Sequence, residues 1–471
     1  MTTVASPPPV QTVTPPRLPT GWATRSALRH GLDHRVGITS RLRDYDVVQY
    51  RAGLRRFTSV RHPDYIDRVL HADREHFHKD IDYETLRAVL GVSLFTDEDE
   101  SWRAHRSLMN PMFSKRRVDG LFELVMEPIV ELADRIEARD DTEPLRLVEA
   151  MVDVTLNVVG NALFSHAFGK YADGMARNVT AALRTAEFME HLILAGLAPR
   201  PALRALVRSL YSEVPMPPGM LRTAQDLVHG FDTAVWSLID ERLEHPTESP
   251  DLLNLLLATD GPDGRPLPRR RVRDEALTFM LAGHETTANA MSWMWYLLAV
   301  TPEARERLFA EVDTVLGGRL PTLDDLPKLE YTRACVEESM RYYSPAWIIP
   351  RVALDDHTLI DVPIRKGSSV IIPVHWVHHD ERWWPEPERY RPERFLGGAG
   401  KDRPRSAYLP FGGGRRVCIG RSFALMEAVL ITAVLAQRFQ FDLVPGHPVD
   451  PEATLTLRPR HGIRVYAKAR A

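Results

Sequence analysis

Phe411–Gly420 reads FGGGRRVCIG. Its Cys418 is one of only two cysteines in 471 residues, the other being Cys335. Gly412, Gly413 and Gly414 precede it and Gly420 follows. Glycine reaches backbone angles closed to other residues and lets a chain press close to a partner. Arg416 stands two positions from the sulfur. Neighbouring cations favour thiolate over thiol, as do backbone N–H groups aimed at the sulfur. A lone cysteine is most often a buried structural thiol. A cysteine in so open and basic a loop suits metal ligation better. Gly420 would let a following helix, expected over 421–435, start close beneath a bound group.

Zinc needs three or four protein ligands, and no Cys-x-x-Cys or spaced histidine pair accompanies Cys418. One thiolate holds a metal only if something else fills the remaining positions, as a porphyrin does. The stretch resembles Phe-x-x-Gly-x-Arg-x-Cys-x-Gly of the cytochrome P-450 superfamily. Phe411, Gly414, Arg416, Cys418 and Gly420 match each fixed position. The resemblance implies Cys418 as the axial ligand of haem iron.

Working outward, AGHETT (Ala282–Thr287) lies in a segment expected to be helical from about Arg273 to Val300. Read alone, it is an amphipathic helix with a solvated His–Glu pair. Glycine costs about 1 kcal/mol of helix propensity, and threonine hydroxyls bond back to preceding carbonyls. Together they predict a local opening. The segment resembles the family's oxygen-activating stretch. That implies Thr286 as the hydroxyl facing dioxygen and Glu285 as a proton relay. His284 has no second histidine at i+4, so it does not form the zinc-protease pattern and receives no role.

ESMR places Glu338 and Arg341 on one helix face, a spacing common in surface ion pairs. The family pairs such residues with the arginine of a later Pro-x-Arg-Phe, here Arg394 in PERF. WRAHR resembles the family's Trp-x-x-x-Arg, implying Trp102 and Arg106 as contacts to a haem propionate. An arginine fork suits a carboxylate. Arg351, Arg416 and His105 are further propionate candidates by family position.

Length alone would suggest several domains. The motifs run in the family's order from Trp102 to Gly420, and the resemblance covers roughly residues 25–471. One mainly α domain with small β-sheets is therefore expected over 21–471, with haem between a long central helix and the cysteine loop. Residues 1–20 hold six prolines and read as a flexible leader. Several stretches also resemble an actinobacterial subfamily numbered 132, among the soluble bacterial members.

The resemblance implies haem b, dioxygen as co-substrate and reducing equivalents ultimately from NAD(P)H. The tail beyond Cys418 is too short for a fused reductase, so a ferredoxin or flavodoxin-type donor is expected. Ser114–Arg117 with Arg403, Arg405 and Arg415 would offer it a basic patch. By family position the substrate chamber draws on 80–95, 188–197, Phe279, Ala282, Ala346, Ile348 and Leu455. These are mostly apolar, pointing to a lipophilic substrate. The implied activity is insertion of one oxygen atom, by hydroxylation or epoxidation. A peroxide-using peroxygenase or isomerase on the same fold, or a non-catalytic haem redox protein, are the alternatives.

The remaining composition is ordinary: 44% hydrophobic, 26% charged, net charge −3. No excess of basic charge points to nucleic acid. Few cysteines fit a reducing cytosol. No run approaches the roughly 20 apolar residues of a membrane span. A cytoplasmic monomer is the expectation.

Overall fold

The computed structural model describes residues 45–52, 55–80, 90–170 and 219–470, with isolated positions between them. The expected leader and the stretch 188–197 lie outside the described residues. The longer helices are α1 (Asp99–Met109), α2 (Phe122–Glu137), α3 (Leu147–Phe164), α4 (Met220–Glu244), α5 (Arg269–Ala299), α6 (Pro302–Leu316), α7 (Glu330–Tyr342) and α8 (Arg421–Arg438).

Local sequence explains several of these boundaries. Helix α6 has Pro302 in its first turn and ends at Gly317, whose φ of 56° is left-handed. Thr301 occupies the N-cap without a side-chain cap bond. Ser344-Pro345 follows α7, where proline disfavours helical geometry in the residue before it. Helix α5 starts one turn before the expected position, directly after Pro268.

Helix α5 runs through the middle of the protein. Its first half buries Val272, Ala276, Leu277 and Met280 in one apolar cluster with α3 and α4. Its second half buries Ala288, Met291, Met294 and Trp295 in another, with α2, α3, α6, α7 and α8. AGHETT falls at the handover between the two. Gly283 there serves packing. A Cβ on it would come within 2.9 Å of Val159 on α3. Thr155 of α3 donates across to the His284 carbonyl at 3.0 Å. Helix α5 stays α-helical through AGHETT. The expected opening is absent, because close contact with α3 stabilises the turn that glycine alone would weaken.

Helix α3 is long and apolar enough to cross a bilayer, which the sequence reading overlooked. It is mostly buried, packed in both core clusters.

The largest sheet has β1 (Val47–Ala52), β2 (Arg55–Val60), β3 (Phe77–Lys79), β4 (Ile349–Ala353) and β5 (Ser369–Ile372). Their order is β1-β2-β5-β4-β3. Only the β2–β5 pairing is parallel. Antiparallel pairing of β3 with β4 sets Lys79 opposite Arg351. Thr454–Leu457, which reads as a strand, is instead mainly the turn between short strands 451–453 and 457–459. The Thr454 amide and hydroxyl both donate to the Thr456 carbonyl at 3.0 Å, closing the turn.

Candidate active site

Cys418 has an exposed side chain. Burial among surrounding atoms nonetheless pushes its thiol up. The Gly420 N–H and the cations Arg106 and Arg421 act the other way, favouring thiolate. Arg416, the nearest cation in sequence, is turned elsewhere. The Cys418 amide donates to the Phe411 carbonyl at 2.9 Å, closing the loop. Gly414 has φ 69°, and a Cβ on it would lie 2.1 Å from the Leu70 carbonyl oxygen. The segment 68–72 therefore leaves no room for a side chain at this position.

Helix α5 presents a matching accessible strip. Ala282 is exposed and Phe279, Gly283 and Thr286 are half-buried, while His284, Glu285, Thr287 and Ala288 are buried. Thr286 donates its hydroxyl to the Ala282 carbonyl at 2.7 Å. Thr287 does the same to Gly283 at 2.9 Å. Helix α8, launched just after Cys418, places the fully buried Glu427 against Thr287, and burial pushes its carboxyl well above the ordinary range. Ile419 and Phe279 flank the same apolar cluster. Ala346 is exposed and Ile348 and Leu455 half-buried, the last at the hairpin tip.

Glu285 does not face solvent. Its carboxylate accepts the Thr456 hydroxyl at 2.8 Å. Asn289, one turn on, donates to the same Thr456 oxygen at 3.1 Å. His284 is buried with its imidazole lowered to about 4 by desolvation, so it is neutral at physiological pH.

A cationic edge lies to one side. Lys79 and Arg351 stand opposite each other in the sheet. Like charges so placed repel unless an anion intervenes. Burial pulls the Lys79 amine well below its ordinary range, and Arg416 and Arg351 pull it further. Arg416 stacks 4.1 Å above the Trp102 ring, donates to the Asp97 carbonyl at 3.0 Å, and pairs with Glu98. Arg351 is buried, and its guanidinium donates to the Pro350 carbonyl at 2.8 Å. Arg106 is half-buried near Cys418. His105 is held by the Ser101 carbonyl at 2.7 Å and lies 3.9 Å from Asp97, turned into its own helix. Lys79 escaped the sequence reading, because only strand register brings it to Arg351.

Glu338, Arg341 and Arg394 meet in the interior. Arg341 makes two bonds to Glu338 at 2.8 and 2.9 Å. Arg394 reaches Glu338 at 3.3 Å and donates to the Pro385 and Glu386 carbonyls at 2.6 and 2.7 Å. Arg341 also donates to the His378 carbonyl. His378 in turn accepts from the Leu409 amide at 2.8 Å, two residues before the cysteine loop.

The expected basic patch is only partly available. Lys115 pairs with Asp119 and Arg405 with Asp67. Arg403 lies 3.5 Å over the Trp384 ring. Arg116, Arg117 and Arg415 are exposed.

These donors fit one kind of cofactor. Among the described residues, no group of three or more His, Cys, Asp or Glu is placed to hold a bare metal ion. One accessible sulfur, an accessible strip on α5 whose Phe279 shares an apolar cluster with Ile419, and buried cations on Arg351 and Lys79 suit a flat macrocycle that carries its own metal and carboxylates. A haem would meet that description. The family profile of cytochrome P450 matches residues 30–465, and the chain belongs to that family of haem-thiolate monooxygenases. It is 51% identical over 454 residues to "Putative cytochrome P450 132" of Mycobacterium tuberculosis, covering 96% of this chain and 97% of that one. It is also 31% identical over 414 residues to "Cyclooctat-9-en-7-ol 5-monooxygenase" of Streptomyces melanosporofaciens, covering 85% and 83%. "Cyclooctatin synthase" of the same organism is 30% identical over 422 residues, covering 88% and 86%.

Proposed function

We propose that this enzyme inserts one oxygen atom of dioxygen into a lipophilic substrate, using haem b held by Cys418 and electrons relayed from NAD(P)H by a separate protein. The accessible strip Ala282–Thr286, set among apolar residues and matched to an accessible Cys418, carries the reading. Bound haem supplies the reductive activation of dioxygen. Cys418 would hold the haem iron through its sulfur, with the Gly420 N–H, Arg106 and Arg421 favouring the thiolate against the effect of burial. Arg351, Lys79, Arg416 and Trp102 bind the carboxylate edge.

Thr286 spends its hydrogen on Ala282, so its remaining lone pairs accept a hydrogen bond from water in the chamber. Glu285 takes a proton on the Thr456 side and passes it toward Thr286 by rotating its side chain. Such a carboxyl-and-hydroxyl pair supports the oxygen-dependent reaction over a peroxide-fed one. Phe279, Ala282, Ala346, Ile348 and Leu455 exclude water and receive the apolar substrate. The cyclooctat-9-en-7-ol of the Streptomyces relative's name makes that compound a first probe. Arg116, Arg117 and Arg415 offer a docking face to an acidic ferredoxin or flavodoxin. A cytoplasmic monomer agrees with these assignments.

The proton-delivery assignment is tested by Thr286→Ala. With a surrogate ferredoxin system, NADPH consumption is expected to continue while product per electron falls at least fivefold and hydrogen peroxide rises. Unchanged coupling would remove Thr286 from the pathway. The substrate class is tested by titrating terpenes, sterols and fatty acids against the Soret band. A shift with charged, water-soluble compounds alone would overturn it.

A further inference from the structure

One charged cluster takes no part in the reactions above. Asp274 and Glu275 on α5 are 3% and 0% exposed. Burial pushes both carboxyls up, Glu275 to about 7. Unpaired carboxylates at such depth are costly, and these are occupied. Asp274 accepts the Val92 amide at 2.8 Å. Glu275 accepts the Leu94 amide through both oxygens, at 2.9 and 3.0 Å. Arg271, one turn earlier, pairs with Glu275 at 2.8 Å and with Asp97 at 3.0 Å.

Three charged side chains of one helix thus hold the segment Gly91–Asp97. The segment is shaped for this. Gly91 has φ 68°, and a Cβ on it would lie 2.2 Å from Asp274. Thr96 donates to the Gly91 carbonyl at 2.7 Å and accepts the Ser93 amide at 3.0 Å, folding the strap on itself. Leu94 is buried in the cluster that holds Trp102 and Leu277.

The strap's far end supports the cationic edge. The Asp97 carbonyl accepts from Arg416 at 3.0 Å and from Lys79 at 3.3 Å. The Phe95 carbonyl also accepts from Lys79. Glu98, the next residue, pairs with Arg416 and accepts the Lys79 amide at 3.0 Å.

We propose that Asp274 and Glu275 are positioning residues: they hold the strap Gly91–Asp97 on α5, and through it fix Lys79 and Arg416 where the carboxylate edge of haem is bound. The binding role of those two cations rests on the function proposed above; the attachment of the strap does not. The first half of α5 then sets cofactor retention without touching the cofactor.

The test measures amide hydrogen exchange and haem transfer to apomyoglobin on the full-length, haem-loaded protein. Asp274→Ala is expected to speed exchange at Val92 at least tenfold, and Glu275→Ala at Leu94, with α3 amides unchanged. Haem transfer should quicken at least fivefold in both. Asp274→Asn and Glu275→Gln keep an acceptor oxygen and should stay within threefold of the parent on both readouts. If loss of Glu275 leaves Arg271 unpaired and prevents folding, Thr96→Val loosens the strap without removing a charge and should shift both readouts the same way. Unchanged exchange at Val92 and Leu94 would overturn the clamp. Faster exchange with unchanged haem transfer would overturn its link to the cationic edge. A parent chain that takes up no haem would instead refute the functional reading.

Discussion

Cys418→Ser is expected to lower product formation with a surrogate ferredoxin system by at least a thousandfold. It should also remove the thiolate signature from the haem spectrum. The effect is electronic rather than steric. Serine fits the same space, and its amide keeps the bond to the Phe411 carbonyl. A neutral hydroxyl cannot supply the electron density by which a thiolate favours O–O cleavage. Three groups, the Gly420 N–H, Arg106 and Arg421, favour negative charge at this atom against the larger effect of burial. The cationic edge is untouched, so the variant should still take up haem. Near-parental turnover would mean that another residue ligates the iron.

Glu338→Ala is expected to produce the largest change in stability, about 3–5 kcal/mol, the usual cost of breaking a buried charge pair from one side. Glu338 and Arg341 are both wholly buried. Removing the carboxylate strands Arg341 and leaves Arg394 without its charge partner. It also deletes the acceptor of the Arg391 amide at 2.9 Å. The damage should travel. Tyr408 donates to the Glu337 carbonyl at 2.8 Å, and the Trp384 indole to Ala407 at 3.1 Å. These bonds seat the stretch that leads into Phe411. Urea unfolding followed by far-UV circular dichroism and by the Soret band should show the haem signal lost first. A loss below about 1 kcal/mol would put the pair in the class of exposed ion pairs.

How much of this was legible in the chain depends on the range of the interactions. The cysteine loop, AGHETT, ESMR and PERF are short segments whose residues act near one another, so sequence spacing locates them. The ends of α6 and α7 are likewise local in origin, set by Pro302, Gly317 and Pro345. What sequence spacing could not show is what two distant segments make together. Lys79 joins Arg351 only through the pairing of β3 with β4. Asp274 and Glu275 look like an ordinary charged turn until Val92 and Leu94 are laid against them.

Some residues were legible in type but not in purpose. Gly283 looks like a weak point in a helix and is a contact with Val159. Gly414 also lies against the Leu70 carbonyl, a contact invisible in the sequence. Thr454–Leu457 has the alternation of a strand, yet side-chain and backbone bonds fold most of it into a turn. That turn carries Thr456 to Glu285, a partnership 171 residues apart in the chain. Arg416 stands two residues from the sulfur in sequence, while the arginines whose charge reaches it are Arg421 and, far upstream, Arg106.

The most direct test of the account is the absorption spectrum of the purified protein after reduction under carbon monoxide. A strongly red-shifted Soret band, the mark of a thiolate opposite carbon monoxide, is the predicted result. A haem-bearing protein whose band stays at the position typical of histidine ligation would contradict it.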